Sequence, residues 1–244
     1  MTSQAAREQV RNLENEHGPR RESVWAELGE APLAMALGWL AKVAEVTKDV
    51  FAGDIKDVVT AYIQSGWRAD DAAMRALALV EKQEDVAVST MALKVMYQPW
   101  LEQSANHLQE LIRSHVYPGG NCDDATNLAA ETDECILFVD GLRFDLAKRL
   151  ADQCRSQGLV VSENVAWAAL PSVTATCKPA VMPICGKLYG DAGNVDFEPS
   201  VKETNQIATG SRLYKLLADS GWAVFDFSRY IPQHAPCGVD AKNR

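Results

Sequence analysis

The chain has 244 residues, of which 47% are hydrophobic, and it carries a formal net charge of −9 at pH 7. This length allows two modest domains or one elaborated domain, and the apolar content is sufficient for a folded core. The negative charge argues against broad, nonspecific affinity for nucleic acid, although it is compatible with a local basic patch. No run of about eighteen apolar residues occurs, which argues against a membrane span, and the amino-terminal residues lack the apolar middle of a secretory signal.

The sequence predicts a helical module over residues 1–118. Residues 1–22 carry mixed charges and predict a polar, loosely ordered lead-in. From residue 24 to residue 116 apolar side chains recur at helical spacing, and such stripes are core faces more often than cofactor sites. Pro99 breaks this pattern, which then resumes. The Gly- and Pro-rich residues 117–121 mark the end of the module.

A pattern of strand, turn and helix near the middle of the chain is the most informative one. Ile136–Val139 form an apolar run without alternation, as expected for a strand that is covered on both faces in a parallel sheet. Gly141 permits a tight turn, and an amphipathic helical pattern then continues until Gly158. Ligands bind at the carboxyl ends of the strands in open α/β sheets, and Asp140 lies at such an end. The alternative role of Asp140 is to cap the following helix.

A second stretch places two hydroxyl groups after an apolar segment. Pro171 ends the segment 165–170, and Thr174 and Thr176 then lead into a modest helical stretch. A threonine acts as a covalent nucleophile when a base or a metal assists its deprotonation, and a divalent ion held by a carboxylate also neutralises a transferring phosphoryl group. The alternative role of each threonine is a helix N-cap. An acidic side chain, Asp140, and a threonine hydroxyl are two parts of a site for metal-assisted phosphoryl transfer.

The residues around these positions resemble the PglZ family, a branch of the alkaline-phosphatase superfamily. The matching stretches are LFVDGLRFDLAKRLA at residues 137–151 and ALPSVTATCKPAVMP at residues 169–183. The resemblance implies that Asp140 is a metal ligand and that Thr174 is the nucleophile. Thr176 is the fallback nucleophile, because Thr-Ala-Thr leaves the register open by two residues.

The same resemblance implies a fold, a cofactor and partners. It extends over about residues 131–225 and implies an α/β region with an alkaline-phosphatase-like sheet and flanking helices, after the helical N-terminal module. The implied cofactor is a divalent metal, with zinc as the first choice, and the implied substrate is a phosphate ester. PglZ proteins belong to BREX phage-defence systems, which implies a bacterial cytoplasmic protein that acts with other BREX proteins and without a membrane. Direct binding of nucleic acid stays open.

The second ligand cluster of a two-metal phosphohydrolase is missing from the sequence. In the family these ligands lie downstream and include an Asp-His-Gly phrase, whereas the one histidine after Asp140 is His234, which follows a glutamine. Residues 226–244 have neither a period nor an apolar face, and they predict an irregular tail from a truncated or frameshifted reading frame. We therefore expect an incomplete sheet and little or no hydrolytic activity of the chain alone.

Two other interpretations compete with a phosphohydrolase. In the first, the chain is a non-catalytic interaction or scaffold module, in which the helices of residues 24–116 dock a partner. In the second, an unrelated α/β enzyme binds phosphate at the start of the helix that follows Thr174. Capture of a partner by residues 1–118 alone would support the interaction module. Phosphate binding that survives replacement of Asp140 with alanine would support the unrelated enzyme.

The remaining candidate groups carry less weight. The six cysteines include no C-x-x-C pair, so the sequence predicts neither a zinc cluster nor a disulfide framework. Cys177 lies close to the threonine pair and is the last choice among the candidate nucleophiles. The polar segment 187–206 predicts an exposed loop, in which solvation is favoured over metal binding for Asp191, Asp196 and Glu198.

Overall fold

A computed structural model describes residues 1–119, 135–190 and 196–224, and it shows a mixed α/β chain that is mostly helical. The helices are α1 (Ser3–His17), α2 (Val24–Glu27), α3 (Pro32–Val46), α4 (Ile55–Ala61), α5 (Trp67–Ala78), α6 (Gln83–Ser114), α7 (Phe144–Ser156), α8 (Thr174–Ala180) and α9 (Gly210–Asp219), and the strands are β1 (Leu188–Tyr189) and β2 (Ser200–Val201). The chain divides into two compact units. The first, the helical unit, comprises residues 1–117 and 142–163, and the second comprises residues 118–141 and 164–244.

The helical unit is built around α3, which packs against α1, α5 and α6. Small side chains let these helices approach closely, since Ala36 on α3 and Ala76 on α5 are fully buried. Larger apolar side chains fill the remaining space, among them Leu40 of α3 and Met96 of α6. Within the described ranges, no helix combines the length and the apolarity that are needed to cross a bilayer.

The first residues of the chain are part of this core, so the prediction of a loosely ordered lead-in is wrong. The Thr2 hydroxyl caps α1 by accepting a hydrogen bond from the backbone N–H of Ala5 at 3.2 Å. Ala6 and Val10, one turn apart, are buried against the other helices. Two buried residues on a short helix are sufficient to dock it, although its remaining surface is polar.

The helix α6 runs for 32 residues and contains Pro99 in its interior, so the prediction that Pro99 breaks the helical pattern is wrong. Trp100 is only 2% exposed and donates its indole N–H to the backbone oxygen of Asp49 at 3.0 Å. Its ring also makes an edge contact with Phe51, with 5.2 Å between the ring centroids. This packing outweighs the loss of one backbone hydrogen bond at the proline.

The helix α7 packs against α5 within the helical unit. Arg149 Nε lies 3.7 Å from Asp71 Oδ1, and the Phe144 ring lies 5.5 Å from the Tyr62 ring between centroids. The predicted amphipathic helix before Gly158 is confirmed, and Gly158 adopts the left-handed backbone (φ 81°) that ends it.

The second unit has a small antiparallel sheet, in which Leu188 pairs with Val201 and Tyr189 with Ser200. Leu188 and Val201 are buried, so the prediction that residues 187–206 form an exposed loop is wrong at these strands. Their core neighbours include Leu213 and Leu217 of α9.

The predicted buried strand at Ile136–Val139 is not formed among the described residues. This segment has no regular secondary structure and no paired strand, and its four side chains are 37%, 71%, 40% and 44% exposed. An unbroken apolar run identifies a segment that can be covered on both faces, but it does not supply the neighbouring strands. Within the described part of the chain, β1 and β2 are the paired strands, and they lie elsewhere in the sequence.

Candidate functional site

Asp140 lies in an exposed turn directly after the apolar segment 136–139. Gly141 follows with a φ of 67°, a conformation that glycine adopts without steric cost. The N-cap of α7 is Arg143, so Asp140 does not cap that helix. The structure therefore removes the capping role that the sequence had left open for Asp140.

The two threonines differ in what their hydroxyl groups do. Thr176 donates its hydroxyl to the backbone oxygens of Pro171 and Val173, the latter at 3.0 Å. Thr174 is the first residue of α8 and is exposed, and its hydroxyl has no hydrogen-bond partner in the described part of the chain. The N-cap of α8 is Val173, so neither threonine caps the helix. Of the pair, Thr174 is the hydroxyl that is available to react.

A lysine brings the segment before Asp140 next to α8. Lys178 Nζ lies 5.6 Å from the ring centroid of Phe138 and 5.7 Å from that of Tyr214. Phe138 is two residues before Asp140, and Lys178 is one helical turn after Thr174. The two predicted site segments are therefore neighbours within the second unit.

The described residues do not assemble a complete metal site. Among them, no group of three or more His, Cys, Asp or Glu side chains is placed to hold a metal ion. Asp140 alone does not fit a divalent ion, because such sites take three or more protein ligands. Asp191, His234 and the predicted tail 226–244 lie outside the described residues. Zinc or another divalent metal at Asp140 stays a prediction.

The weaker candidates also have defined places. His17 lies at the end of α1, and His107 Nε2 in α6 lies 3.0 Å from the backbone oxygen of Gly53, so these histidines belong to the helical unit. Cys177 is a free thiol in α8, and its Sγ lies 3.5 Å from the backbone oxygen of Ala169. Neither observation gives these residues a chemical role.

A cluster around Asp70 in the helical unit was not identified from the sequence. Asp70 Oδ2 accepts a hydrogen bond from the Tyr62 hydroxyl at 2.6 Å, and Oδ1 accepts one from the Tyr97 hydroxyl at 2.5 Å. Burial raises the pKa of both phenols well above the ordinary value, and the hydrogen bonds to the Asp70 carboxylate raise each pKa further. We call Tyr62, Asp70 and Tyr97 the tyrosine–aspartate cluster.

The local geometry explains how Tyr62 reaches Asp70. Tyr62 begins a π-helical turn, Tyr62–Gly66, that joins α4 to α5. Gly66 is required there, since a Cβ at this position would lie 2.4 Å from the Phe51 ring. A π turn rotates the following helix relative to an unbroken α-helix, and a sequence period of 3.6 residues does not reveal it.

An open cleft of about 340 Å³ lies beside the cluster, between α5 and α6. Its walls are mostly apolar and include Met74, Leu77 and Leu101, with Lys94 and Arg143 among its polar residues. The Arg143 guanidinium donates to both carboxylate oxygens of Asp145, at 2.9 and 3.3 Å. That pairing raises the pKa of Arg143, so the cation is fixed at the edge of the cleft.

Comparisons of the chain with protein-family models, with curated protein sequences and with solved structures returned no match. The resemblance of its two central stretches to a known family therefore stays a prediction.

Proposed function

We propose that the second unit carries part of the site of a PglZ-type, metal-dependent phosphohydrolase that acts in phage defence with other BREX proteins. Asp140 is the proposed metal ligand and Thr174 the proposed nucleophile. The observation that supports this most is the contact of Lys178 with Phe138, because it joins the Thr174 helix to the segment that leads to Asp140. Neither Asp140 nor Thr174 is occupied by the capping role that commonly explains such residues.

The proposed chemistry makes and breaks one bond to phosphorus in each of two steps. Thr174 Oγ bonds to the phosphorus of a phosphate monoester while the bond to the ester oxygen breaks and its electron pair leaves with the alcohol. The threonine proton passes to solvent, and the departing alcohol takes a proton from solvent. Water then attacks the phosphothreonine, which releases inorganic phosphate and restores the hydroxyl.

Single-turnover labelling tests the nucleophile. We expect prolonged incubation of the chain with p-nitrophenyl phosphate and zinc to place a phosphoryl group on Thr174, detected by mass spectrometry of peptides, with negligible multiple turnover. The label falls to background in Thr174→Val, because the Thr176 hydroxyl is already hydrogen-bonded to the backbone oxygen of Val173. Thr176→Val is the matched control and keeps the label. Labelling at Thr176, or equal labelling in Thr174→Val, contradicts the assignment.

The cleft of the helical unit favours a second candidate function, the interaction module. Met74 and Leu101 on its walls are 46% and 43% exposed, and exposed apolar side chains around a concave surface are typical of docking sites. In this proposal, an apolar helix of a BREX partner lies in the cleft between α5 and α6. The phosphohydrolase and the interaction module are compatible in one chain, since they use different units.

Charge in the cleft tests this second function. We expect Leu101→Glu to abolish co-purification of the full chain with its BREX partners, because the substitution places a carboxylate on an apolar contact surface. Met91→Glu is the matched control, since Met91 lies on α6, is 67% exposed and is not part of the cleft wall. Equal recovery of the partners with both variants contradicts the docking role of the cleft.

A further inference from the structure

Lys178 is held in place without a neutralising carboxylate among the described residues. Its ammonium lies near two aromatic rings, with distances of 5.6 Å to the Phe138 centroid and 5.7 Å to the Tyr214 centroid. No Asp or Glu of the described residues pairs with it within 4.0 Å. An ammonium near ring faces is attracted to them but keeps its full positive charge, so it retains the capacity to bind an anion.

Lys178 and the predicted nucleophile lie on one face of α8. Lys178 follows Thr174 by four residues in the same helix, so the two side chains share a helix face and their Cβ atoms are about 5–6 Å apart. Side chains of a helix lean toward its amino-terminal turn, which in α8 is the turn that begins at Thr174. Both side chains lack a polar partner in the described part of the chain.

We propose that Lys178 binds the anionic oxygens of the phosphoryl group at this site. The proposal rests on the proposed function for the identity of the reacting hydroxyl, Thr174, but the binding of phosphate by Lys178 requires no reaction. Lysine binds phosphate as a point charge with three N–H donors, and a partly buried ammonium without a carboxylate neighbour suits that role. The rings of Phe138 and Tyr214 both lie within reach of the ammonium and attract it.

Titration of the full chain with inorganic phosphate in EDTA at low ionic strength tests the proposal. Binding is followed by the amide NMR shifts of α8. We expect Lys178→Met to weaken binding by about tenfold, since a hydrogen bond to a charged group contributes roughly 1.5 kcal/mol. Methionine keeps an unbranched side chain next to the two rings, and Lys178→Arg keeps the charge and is expected to bind within about twofold of the original chain.

The controls separate local binding from net charge and from folding. Lys215→Met removes one exposed positive charge from α9 in the same unit and is expected to leave phosphate binding unchanged. Absence of phosphate binding by the original chain, or equal affinities of the Lys178→Met and Lys215→Met variants, overturns the proposal. Loss of binding in both Lys178→Met and Lys178→Arg also overturns it, because the charge would then not be the cause.

Failure of the proposed function has a different signature. If Thr174→Val retains phosphate binding that depends on Lys178, and no phosphothreonine forms in the original chain, the hydrolase proposal fails and the Lys178 site stands. If phosphothreonine forms at Thr174 equally in the original chain and in Lys178→Met, the hydrolase proposal stands and the Lys178 site fails.

Discussion

Replacing Asp70 with alanine is expected to lower the free energy of unfolding of the helical unit by about 3 kcal/mol, because two phenol donors lose their acceptor at once. Asp70 is buried and accepts from Tyr62 and Tyr97, one hydroxyl to each carboxylate oxygen. Each unsatisfied donor costs about 1–3 kcal/mol, and the partial exposure of the two rings admits water and keeps the sum near the lower end. Urea unfolding followed by circular dichroism measures this difference.

Two variants decide whether the hydrogen bonds are the cause. Asp71→Ala is the neighbouring control, and we expect a smaller loss of about 1 kcal/mol, because Arg75 and Arg149 are each more than a third exposed. In a chain that carries Tyr62→Phe and Tyr97→Phe, Asp70→Ala should cost less than in the original chain, because no donors remain. An equal cost of Asp70→Ala in both backgrounds would show that the cluster does not act through these bonds.

The elements that could be predicted from the sequence are those whose ends are set by local chemistry. The helices α7 and α9 end near Gly158 and Gly221, and both glycines have left-handed backbones with φ of 81° and 87°. Only a glycine adopts that conformation without strain, so its position in the sequence marks the end of a helix.

The tyrosine–aspartate cluster could not be predicted, because its members are related by packing rather than by period. Tyr62 is eight residues from Asp70 and Tyr97 is 27 residues from it. The first pair also depends on the π turn, and the second depends on the way α6 packs against α5. An aspartate near the start of a helical stretch is commonly a cap, whereas Asp70 lies inside α5.

The predicted site shows the same division between local and long-range information. The sequence allowed either a chemical role or a helix-capping role for Asp140 and Thr174. The structure excludes the capping role, because the N-caps of α7 and α8 are Arg143 and Val173. The contact of Lys178 with Phe138 joins residues 40 positions apart, which no periodicity encodes.

Alkaline pH is expected to destabilise the helical unit more steeply than a protein with ordinary tyrosines, because the tyrosine–aspartate cluster keeps two phenols protonated. The pKa values of Tyr62 and Tyr97 are raised above the ordinary value of 10.0, first by burial and then by the bonds to Asp70. The stabilisation is therefore complete below about pH 10, where the unfolded chain also holds both protons, and it is lost as the pH rises through the raised folded values. Two such phenols lower the free energy of unfolding by about 2.7 kcal/mol per pH unit above pH 10.

Urea unfolding between pH 9 and about pH 11.5 measures how steeply the free energy of unfolding falls with pH. This range spans the pKa of about 10 that phenols have in unfolded chains. In the double variant Tyr62→Phe and Tyr97→Phe the slope above pH 10 should fall by about 2.7 kcal/mol per pH unit, since no retained protons remain at the cluster. Tyr214→Phe is the matched control, because Tyr214 is 47% exposed, and it should leave the slope of the original chain unchanged. The absorbance of phenolate in the folded chain gives an independent check, since Tyr62 and Tyr97 should ionise only when the helical unit unfolds. Ionisation of these two residues near pH 10 in the folded chain would mean that neither burial nor the bonds to Asp70 raise their pKa.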